Sequence, residues 1–354
     1  MNGRERVMAA LQRRQPDRVP VVEWIIDPAV VRALEPSGSL MNLVERLDLD
    51  AISNGAYYAT EPMEGDRYRD EWGIIYGNSP EVIGGPLDGP IHSAADLRRY
   101  VPPDPNADGR LGALPAHVAR FRGQRAIAWQ QREAFMTTAL LAGLERFLGW
   151  MVEEPRLVHD MVGMVVEVHE ALARRAVRAG AELVMLGDDY AWRIGPMMSP
   201  RHFREFFLPG LKRIVSAVHE EGAFCVKHSD GNIWPLIDMF LEAGFDGLNP
   251  LEPLAGMDLA EVKRRYGDRA CLVGNIDCGY VLSQAPLSEV VETVKRAIHD
   301  AGPGGGYMVS SSNSIHSSVK PENYRVMVET AHCFGVYPLD MERLRAFHGS
   351  DPSR

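Results

Sequence analysis

The stretch AFCVKHSDGNIWPLIDMFLEAG, residues 223–244, decides the fold. It begins with a short apolar run, continues with the polar residues 228–232, and then becomes a helix-length amphipathic segment that ends at Gly244. A buried strand, a polar loop and a helix in this order make one βα unit, and repeated βα units build a parallel sheet that is covered on both faces. The stretch therefore predicts an α/β protein.

The same order of segments recurs along the chain from about residue 125 onward. Two further strand candidates, residues 17–25 and 47–55, precede these repeats. The repeated strand candidates are residues 125–131, 181–189, 223–231, 245–253, 269–277 and 306–313. Because eight parallel strands close a (β/α)8 barrel, we expect a TIM barrel with an N-terminal helical extension. An open doubly wound sheet is the alternative architecture.

One part of the chain does not follow the repeat. Residues of about 55–124 are rich in proline, glycine and aspartate, as in PPDPNADGRLG at 102–112. Long segments without the period of the surrounding fold are often functional lids, so we expect an insertion over the C-terminal face of the barrel. We expect residues 1–345 to form a single domain and residues 346–354 to form a flexible tail.

The composition excludes several classes of partner. The 38 basic and 48 acidic residues give a formal net charge of −10, which disfavours binding to nucleic acid or to an anionic membrane. The four cysteines form no CxxC pair, and neither a signal peptide nor a membrane-spanning apolar stretch is recognisable. We therefore expect a cytoplasmic protein that acts on a small-molecule substrate.

The candidate catalytic residues follow the predicted strands, because TIM barrels place their chemistry at the C-terminal strand ends. His228 and Asp230 are two residues apart, so both side chains face the same side of the strand. Such a pair can bind a divalent metal or act as a carboxylate-oriented acid and base. One of Asp188 and Asp189 is expected to face inward beside them, and Glu252 is a further candidate metal ligand.

Other strand-end residues are candidates for substrate binding. Tryptophans at or near strand ends would give a flat apolar wall suited to a planar or methyl-bearing ligand. The polar candidates are Gln130, Asn249 and Asn313, and the tryptophans are Trp24, Trp129 and Trp192. Each tryptophan taken singly is also explained by ordinary packing.

Several motifs resemble the uroporphyrinogen decarboxylase superfamily across nearly the whole chain. They are RERVMAALQRRQPDRVPV, SPRHFREFFLPGLKRIV, HSDGNIWPLID, GLNPLEP, VGNID and SSSNSIHSSVKPEN. The resemblance implies a (β/α)8 barrel, often a homodimer, with a deep cleft at the strand ends.

The decarboxylase branch of this superfamily needs no cofactor and carries an Arg-x-x-x-Arg element after the first strand. Here Ile25 and Ala29 stand in the two arginine positions. A cleft without these cations would leave the carboxylates of a porphyrinogen desolvated and unpaired, which is unfavourable. The resemblance therefore disfavours decarboxylation of uroporphyrinogen itself.

The methyltransferase branch passes methyl groups to or from a corrinoid on a partner protein, through zinc bound by a His-x-Cys pair and a second cysteine. His228 is kept, Asp230 stands in place of the first cysteine, and Asn313 stands in place of the second. Oxygen ligands would make zinc, or another divalent metal, a harder Lewis acid than thiolates do, which suits an O-methyl or N-methyl donor. The alternatives are a metal-free decarboxylase, in which Asp189 and His228 exchange protons, and a non-catalytic barrel that binds a tetrapyrrole or aromatic molecule.

Overall fold

A computed structural model describes residues 1–77 and 85–345. The tail predicted at 346–354 lies outside the described residues. Within them, the helices are α1 Gly3–Leu11, α2 Pro28–Leu34, α3 Leu40–Arg46, α4 Ala94–Leu97, α5 Leu114–Phe121, α6 Met136–Ala142, α7 Leu144–Glu153, α8 Pro155–Arg178, α9 Pro200–His202, α10 Leu208–Glu220, α11 Ile237–Ala243, α12 Leu259–Tyr266, α13 Leu287–Ala301, α14 Pro321–Phe334 and α15 Met341–Arg345. A π-helical segment, Phe203–Phe207, precedes α10, and a short 3-10 helix spans Pro253–Ala255.

The strands of the described residues belong to three sheets, and the largest of them is the barrel. The strands are β1 Ala51–Gly55, β2 Thr60–Met63, β3 Arg67–Asp70, β4 Ile75–Gly77, β5 Gly85–Asp88, β6 Ala126–Gln131, β7 Leu183–Gly187, β8 Ala191–Trp192, β9 Gly195–Pro196, β10 Phe224–His228, β11 Gly247–Asn249, β12 Cys271–Ile276 and β13 Tyr307–Ser311. The barrel sheet has the order β1-β6-β7-β10-β11-β12-β13, and all its neighbouring strands are parallel. The α/β barrel predicted from the repeats is therefore confirmed.

The eighth position of the barrel is filled by an extended segment instead of the regular strand predicted at 17–25. Val21 forms an isolated parallel bridge with Val309 of β13, and the Asp50 N–H donates to the Val21 carbonyl at 2.9 Å. Pro20 has no N–H to donate, and the Val21 N–H donates to the Asp50 carboxylate at 2.8 Å instead of to a backbone carbonyl. The bridge between Val21 and Val309 and the hydrogen bond from Asp50 to Val21 close the ring between β13 and β1 without a continuous ladder.

Side chains of the barrel strands alternate between the lumen and the surrounding helices, as the twofold strand period requires. Small and medium apolar side chains fill the lumen, and they include Ala128, Met185, Val226 and Val273. Larger apolar side chains on the outer faces pack against the helix layer in a second cluster. This alternation also decides which strand-end residues reach the mouth of the barrel.

Helix ends follow the sequence signals. The Ser199 hydroxyl accepts the His202 N–H at 3.1 Å and caps α9, which begins at Pro200. Gly244 ends α11 in the left-handed conformation, at φ 101°. These ends fix where each loop begins above the strands. Across the described parts of the chain, no helix has the length and apolar character needed to cross a membrane.

The insertion predicted at 55–124 contains a small antiparallel sheet with the order β2-β3-β4-β5. Within the predicted bounds, α5 packs against β1 and β6 of the barrel. The extent of the insertion and the single domain remain predictions. Residues 78–84, within the insertion, lie outside the described part. The antiparallel sheet lies over the strand ends and forms one wall of the cavity at the mouth of the barrel.

Candidate metal and active site

A cavity of about 480 Å³ opens at the C-terminal ends of the barrel strands. Strand-end residues form its floor, and the insertion, the loop after β6 and α8 form its walls. The floor includes Gly55, Gln130, Gln131, Gly187, His228, Asn249 and Ser311, and the walls include Tyr58, Tyr68, Asp70, Trp72, Tyr76, Arg132 and His169. This volume lies within the range of small-molecule sites.

The imidazole of His228 is held in one tautomer by its neighbour on β11. The Asn249 amide nitrogen donates to the Val273 carbonyl at 3.1 Å, which directs the Asn249 amide oxygen toward His228. That oxygen lies 2.6 Å from His228 Nδ1 and can only accept, so Nδ1 carries the proton. His228 Nε2 is consequently the nitrogen presented to the cavity, as a metal-bound imidazole requires.

Two carboxylates face His228 Nε2. Asp230 Oδ1 lies 3.6 Å from it and Asp189 Oδ1 lies 3.8 Å from it, which are too long for hydrogen bonds. One ligand atom from each of the three residues lies within 4.8 Å of the other two. The side chains of His228 and Asp230 share one side of the chain, as their spacing predicts.

Asp230 has an incompletely satisfied carboxylate. Its Oδ2 accepts a short hydrogen bond from the Asn313 amide, whereas its buried Oδ1 has no hydrogen-bond partner within residues 1–77 and 85–345. Burial raises the pKa of Asp230 to about 7, and the negative charges of Asp189 and Glu252 act in the same direction. The positive charge of His228 opposes this shift. Burial therefore outweighs the attraction between His228 and the ionised Asp230 carboxylate.

These residues fit a divalent metal ion. An imidazole nitrogen and two carboxylate oxygens converge, one of the oxygens is buried and unpartnered, and the hydrogen bond on Nδ1 leaves Nε2 available. Zinc and similar divalent ions accept this set of nitrogen and oxygen donors. A cation would also relieve the repulsion between the two carboxylates.

A tight turn places Asp230 beside His228. Gly231 has φ 84°, and a Cβ at this position would lie 2.3 Å from the Ala191 carbonyl oxygen, so only glycine fits. The Gly231 N–H donates to Glu252 at 2.8 Å, and the Asp230 N–H donates to Asp189 Oδ1 at 2.9 Å. Glu252 therefore supports the turn and lies outside the three-residue cluster, so its proposed role as a metal ligand is corrected.

Four of the predicted substrate-binding residues line the cavity: Trp24, Gln130, Asn249 and Asn313. The Gln130 amide donates to the Trp24 carbonyl at 3.2 Å, which connects these two residues across the barrel floor. Their role in substrate binding remains a proposal.

Three predicted site residues lie elsewhere. Asp188 faces the helix layer, where its Oδ2 accepts the Phe135 N–H at 2.7 Å. Trp129 is fully buried on the outer face of β6, and Trp192 is 54% exposed on β8, away from the cavity. Strand alternation explains the first two positions, because Asp189 and Gln130 occupy the inward-facing places next to them. Asp189 is therefore the inward-facing member of the pair Asp188 and Asp189, whereas Trp129 and Trp192 lie outside the cavity, contrary to expectation.

Several cavity residues were not among the predictions. Arg132 follows directly after Gln131, and a cation one residue beyond a strand end was a signal that could have identified it. Tyr68, Trp72 and Tyr76 come from the antiparallel insertion, which was expected over the barrel but whose inward-facing side chains no local pattern predicts. His169 comes from the middle of α8 and stacks on Trp72, with ring centroids 5.5 Å apart.

A second buried carboxyl group lies beneath the floor of the cavity. Glu23 accepts hydrogen bonds from the hydroxyl groups of Ser311 at 2.7 Å and Ser310 at 3.2 Å. Burial raises the pKa of Glu23 to about 7 despite these hydrogen bonds. Ser311 lines the cavity and thus separates Glu23 from the site itself.

A parallel barrel with titratable groups gathered at its C-terminal strand ends is the architecture of an enzyme. The family model described as uroporphyrinogen decarboxylase (URO-D) matches residues 79–334, which is most of the chain. The chain belongs to the uroporphyrinogen decarboxylase family. The resemblance predicted from its motifs is therefore confirmed.

Relatives of both branches are found. The chain is 25% identical to a uroporphyrinogen decarboxylase of Thioalkalivibrio sulfidiphilus, over 94% of this chain and 98% of that protein. It is 28% identical to the methylcobamide:CoM methyltransferase MtaA of Methanosarcina barkeri, over 53% of this chain and 52% of that protein. These similarities establish that the chain belongs to a family of enzymes. They do not distinguish methyl transfer from decarboxylation, so the type of reaction is argued from the residues of the site.

The fold also matches a solved structure. A methyltransferase from Methanosarcina mazei superposes with a TM-score of 0.69 and 20% sequence identity, covering 94% of this chain and 99% of that one. At this level of identity the match concerns the fold alone. The match therefore supports the barrel fold of this chain.

Proposed function

We propose that the protein is a metal-dependent methyltransferase that takes a methyl group from, or returns it to, the oxygen or nitrogen of a small molecule. Asp189, His228 and Asp230 would hold the divalent metal. The observation that carries the proposal is the convergence of their ligand atoms within 4.8 Å around a buried, unpartnered carboxylate oxygen. When bound, the metal supplies Lewis acidity to the heteroatom that bears the methyl group.

Neighbouring side chains prepare the site for this chemistry. Asn249 keeps the His228 tautomer, and Asn313 holds one oxygen of Asp230 so that the other stays directed at the ligand cluster. Trp24 and Ile25 form an apolar surface at the floor of the cavity, and this surface would exclude water around a methyl group. Gln130 lines the same floor and would orient the substrate.

The proposed second participant is a corrinoid held by a partner protein. The similarity to the methylcobamide:CoM methyltransferase supports this part of the proposal. The resemblance to the methyltransferase branch implies two cysteine ligands at the positions where this chain has Asp230 and Asn313. A site without these thiolates favours an oxygen- or nitrogen-linked donor over a thiol. A homodimer, expected from the family resemblance, remains a prediction.

The test is the visible spectrum of a corrinoid. Purified protein loaded with Zn²⁺ is mixed with methylcobalamin and a panel of phenols and amines, and demethylation of the corrinoid is followed by absorbance. We expect demethylation with the wild-type protein and a loss of at least about 100-fold in rate for Asp189→Asn. An unchanged spectrum with every acceptor, or equal rates for the two proteins, would count against the proposal.

Decarboxylation is the second candidate function. The supporting observations are the full-length similarity to uroporphyrinogen decarboxylases and the pKa of Asp230, which burial raises to about 7 and which suits a proton donor near neutral pH. Ile25 in the place of a carboxylate-binding arginine argues for a less anionic substrate than a porphyrinogen. Release of carbon dioxide from such a substrate by metal-free protein would favour this candidate over methyl transfer.

A further inference from the structure

Arg132 stands on the cavity wall with its hydrogen-bonding capacity unused. It follows β6 directly, lines the cavity, and has a side chain that is 35% exposed. In the described part of the chain, no acceptor lies within hydrogen-bonding distance of its guanidinium group, and its ion pair with Asp188 Oδ1 measures 3.8 Å. A guanidinium group has five N–H donors in a planar fork that matches a carboxylate.

Asp188 supports the arginine from the side of the helix layer. Its Oδ2 accepts the backbone N–H groups of Phe135 at 2.7 Å and Met136 at 3.1 Å, which fixes the carboxylate at the start of α6. Its Oδ1 is buried and has no hydrogen-bond partner in residues 1–77 and 85–345. Asp188 thus partly neutralises the charge of Arg132 from the side away from the cavity. At 3.8 Å it forms no hydrogen bond, so the guanidinium N–H groups of Arg132 stay available to a ligand.

The wall around Arg132 is aromatic. Tyr68 and Tyr76 stack with ring centroids 5.1 Å apart and an interplanar angle of 13°, and both line the cavity with Trp72. Asp70 is the acidic residue of this wall. Its carboxylate accepts the Ile74 N–H at 2.9 Å, and its negative charge lies close enough to Arg132 for the two groups to attract each other. Flat apolar surfaces beside a guanidinium group suit a planar molecule with an anionic end.

Arg132 and His228 follow strands that are two places apart in the barrel, and Asp189 follows the strand between them. Gln131 pairs with Leu186 on β7, and Gly187 pairs with His228 on β10, so two strand spacings separate the ends of β6 and β10. At about 4.8 Å for each spacing, this corresponds to roughly 10 Å. A small planar molecule can span this distance, with its methyl-bearing heteroatom at one end and its anionic group at the other.

We propose that Arg132 is a subsite for a carboxylate, and that the methyl donor is a planar, aromatic carboxylic acid whose methylated heteroatom lies opposite the carboxylate. This inference rests on the proposed function and names its substrate class. Arg132 supplies a single counter-charge from a different strand end than positions 25 and 29, which hold isoleucine and alanine. One carboxylate, and not a multiply charged porphyrinogen, matches one guanidinium group.

The test compares acids with their neutral amides. Binding of 4-methoxybenzoate, 3-methoxybenzoate and 4-methoxyphenylacetate to the Zn²⁺-loaded protein is measured by calorimetry, beside the amide of each acid. The variants are Arg132→Gln and a control, Arg193→Gln, at an exposed arginine that donates to the Leu254 carbonyl outside the cavity. We expect at least one acid to bind about tenfold or more tightly than its amide in the wild type and in the control.

The expected result for Arg132→Gln is an acid that binds no more tightly than its amide, with amide binding unchanged from the wild type. The inference is overturned if no acid is preferred to its amide by the wild type, or if the preference survives in Arg132→Gln. Binding does not depend on turnover. A preference for acids in a protein that transfers no methyl group would therefore contradict the proposed function and leave the carboxylate subsite standing.

Discussion

Adjacent residues at the strand ends lie in different environments, because side chains alternate between the cavity side and the helix side of each strand. Asp189 reaches the cavity while Asp188 caps a helix outside the barrel, and Gln130 reaches it while Trp129 packs in the core. Parallel strands buried on both faces are apolar throughout, so the sequence shows no alternation from which the inward phase can be read. The pair His228 and Asp230 escapes this problem, since residues two apart share a face whichever phase applies.

The tautomer of His228 depends on one amide, and this gives the first prediction. Replacement of Asn249 by alanine removes the acceptor of the Nδ1 proton, so the imidazole is free to rotate or change tautomer. We expect the affinity for Zn²⁺ to fall by about 10-fold to 100-fold, as measured by competition with a chelating dye.

A matched control is Asn323→Ala, at a buried asparagine whose amide donates to the carbonyls of Val281 and Ala285 outside the cavity. We expect this variant to lose stability but to keep the wild-type affinity for Zn²⁺. Equal metal affinities for Asn249→Ala and Asn323→Ala would show that the imidazole needs no such support.

At the scale of elements, the repeats of strand and helix were sufficient to predict the barrel. The exceptions have local causes: Pro20 and the Asp50 carboxylate reduce the first predicted strand to isolated bridges. The sequence predicts where the insertion lies but not how it folds. Its antiparallel sheet has no period in common with the barrel, and the packing of its side chains over the strand ends depends on tertiary contacts. Only the structure therefore identifies Trp72 and Tyr76 as residues of the site.

The turn after β10 gives the second prediction. Gly231→Ala would force a Cβ against the Ala191 carbonyl oxygen in a backbone conformation that alanine adopts poorly. We expect the free energy of unfolding to fall by roughly 2 to 4 kcal/mol, measured by urea denaturation.

Gly244→Ala is the comparison for this variant. Its φ is 101°, but a Cβ there would lie 3.3 Å from a methyl carbon of Val215 instead of 2.3 Å from a carbonyl oxygen. We expect a loss of about 1 to 2 kcal/mol for this change. Similar losses for the two variants would mean that the contact with Ala191 does not constrain the turn.

At the scale of the whole molecule, Glu23 couples folding to pH. The folded protein keeps the Glu23 proton up to a pKa of about 7, whereas the usual value is 4.5, so the folded state binds more protons between these values. Stability from this group is present below about pH 4.5 and is lost as the pH rises through 7. The shift corresponds to about 3 kcal/mol.

Glu23→Gln tests this dependence, because glutamine does not titrate and its amide can bond to the same serine hydroxyl groups. We expect the difference in free energy of unfolding between wild type and variant to change by up to about 3 kcal/mol from pH 4.5 to 8, to the disadvantage of the wild type. Parallel curves of stability against pH would indicate that Glu23 titrates normally.

The proposed chemistry depends on the cluster formed by Asp189, His228 and Asp230, and the metal content of the protein tests this cluster most directly. Protein purified without chelators is analysed by elemental mass spectrometry, beside His228→Ala and the control His316→Ala, at a histidine that does not line the cavity. We predict about one divalent metal ion per chain in the wild type and in the control, and little in His228→Ala. Equal and negligible metal in all three proteins would contradict the central claim.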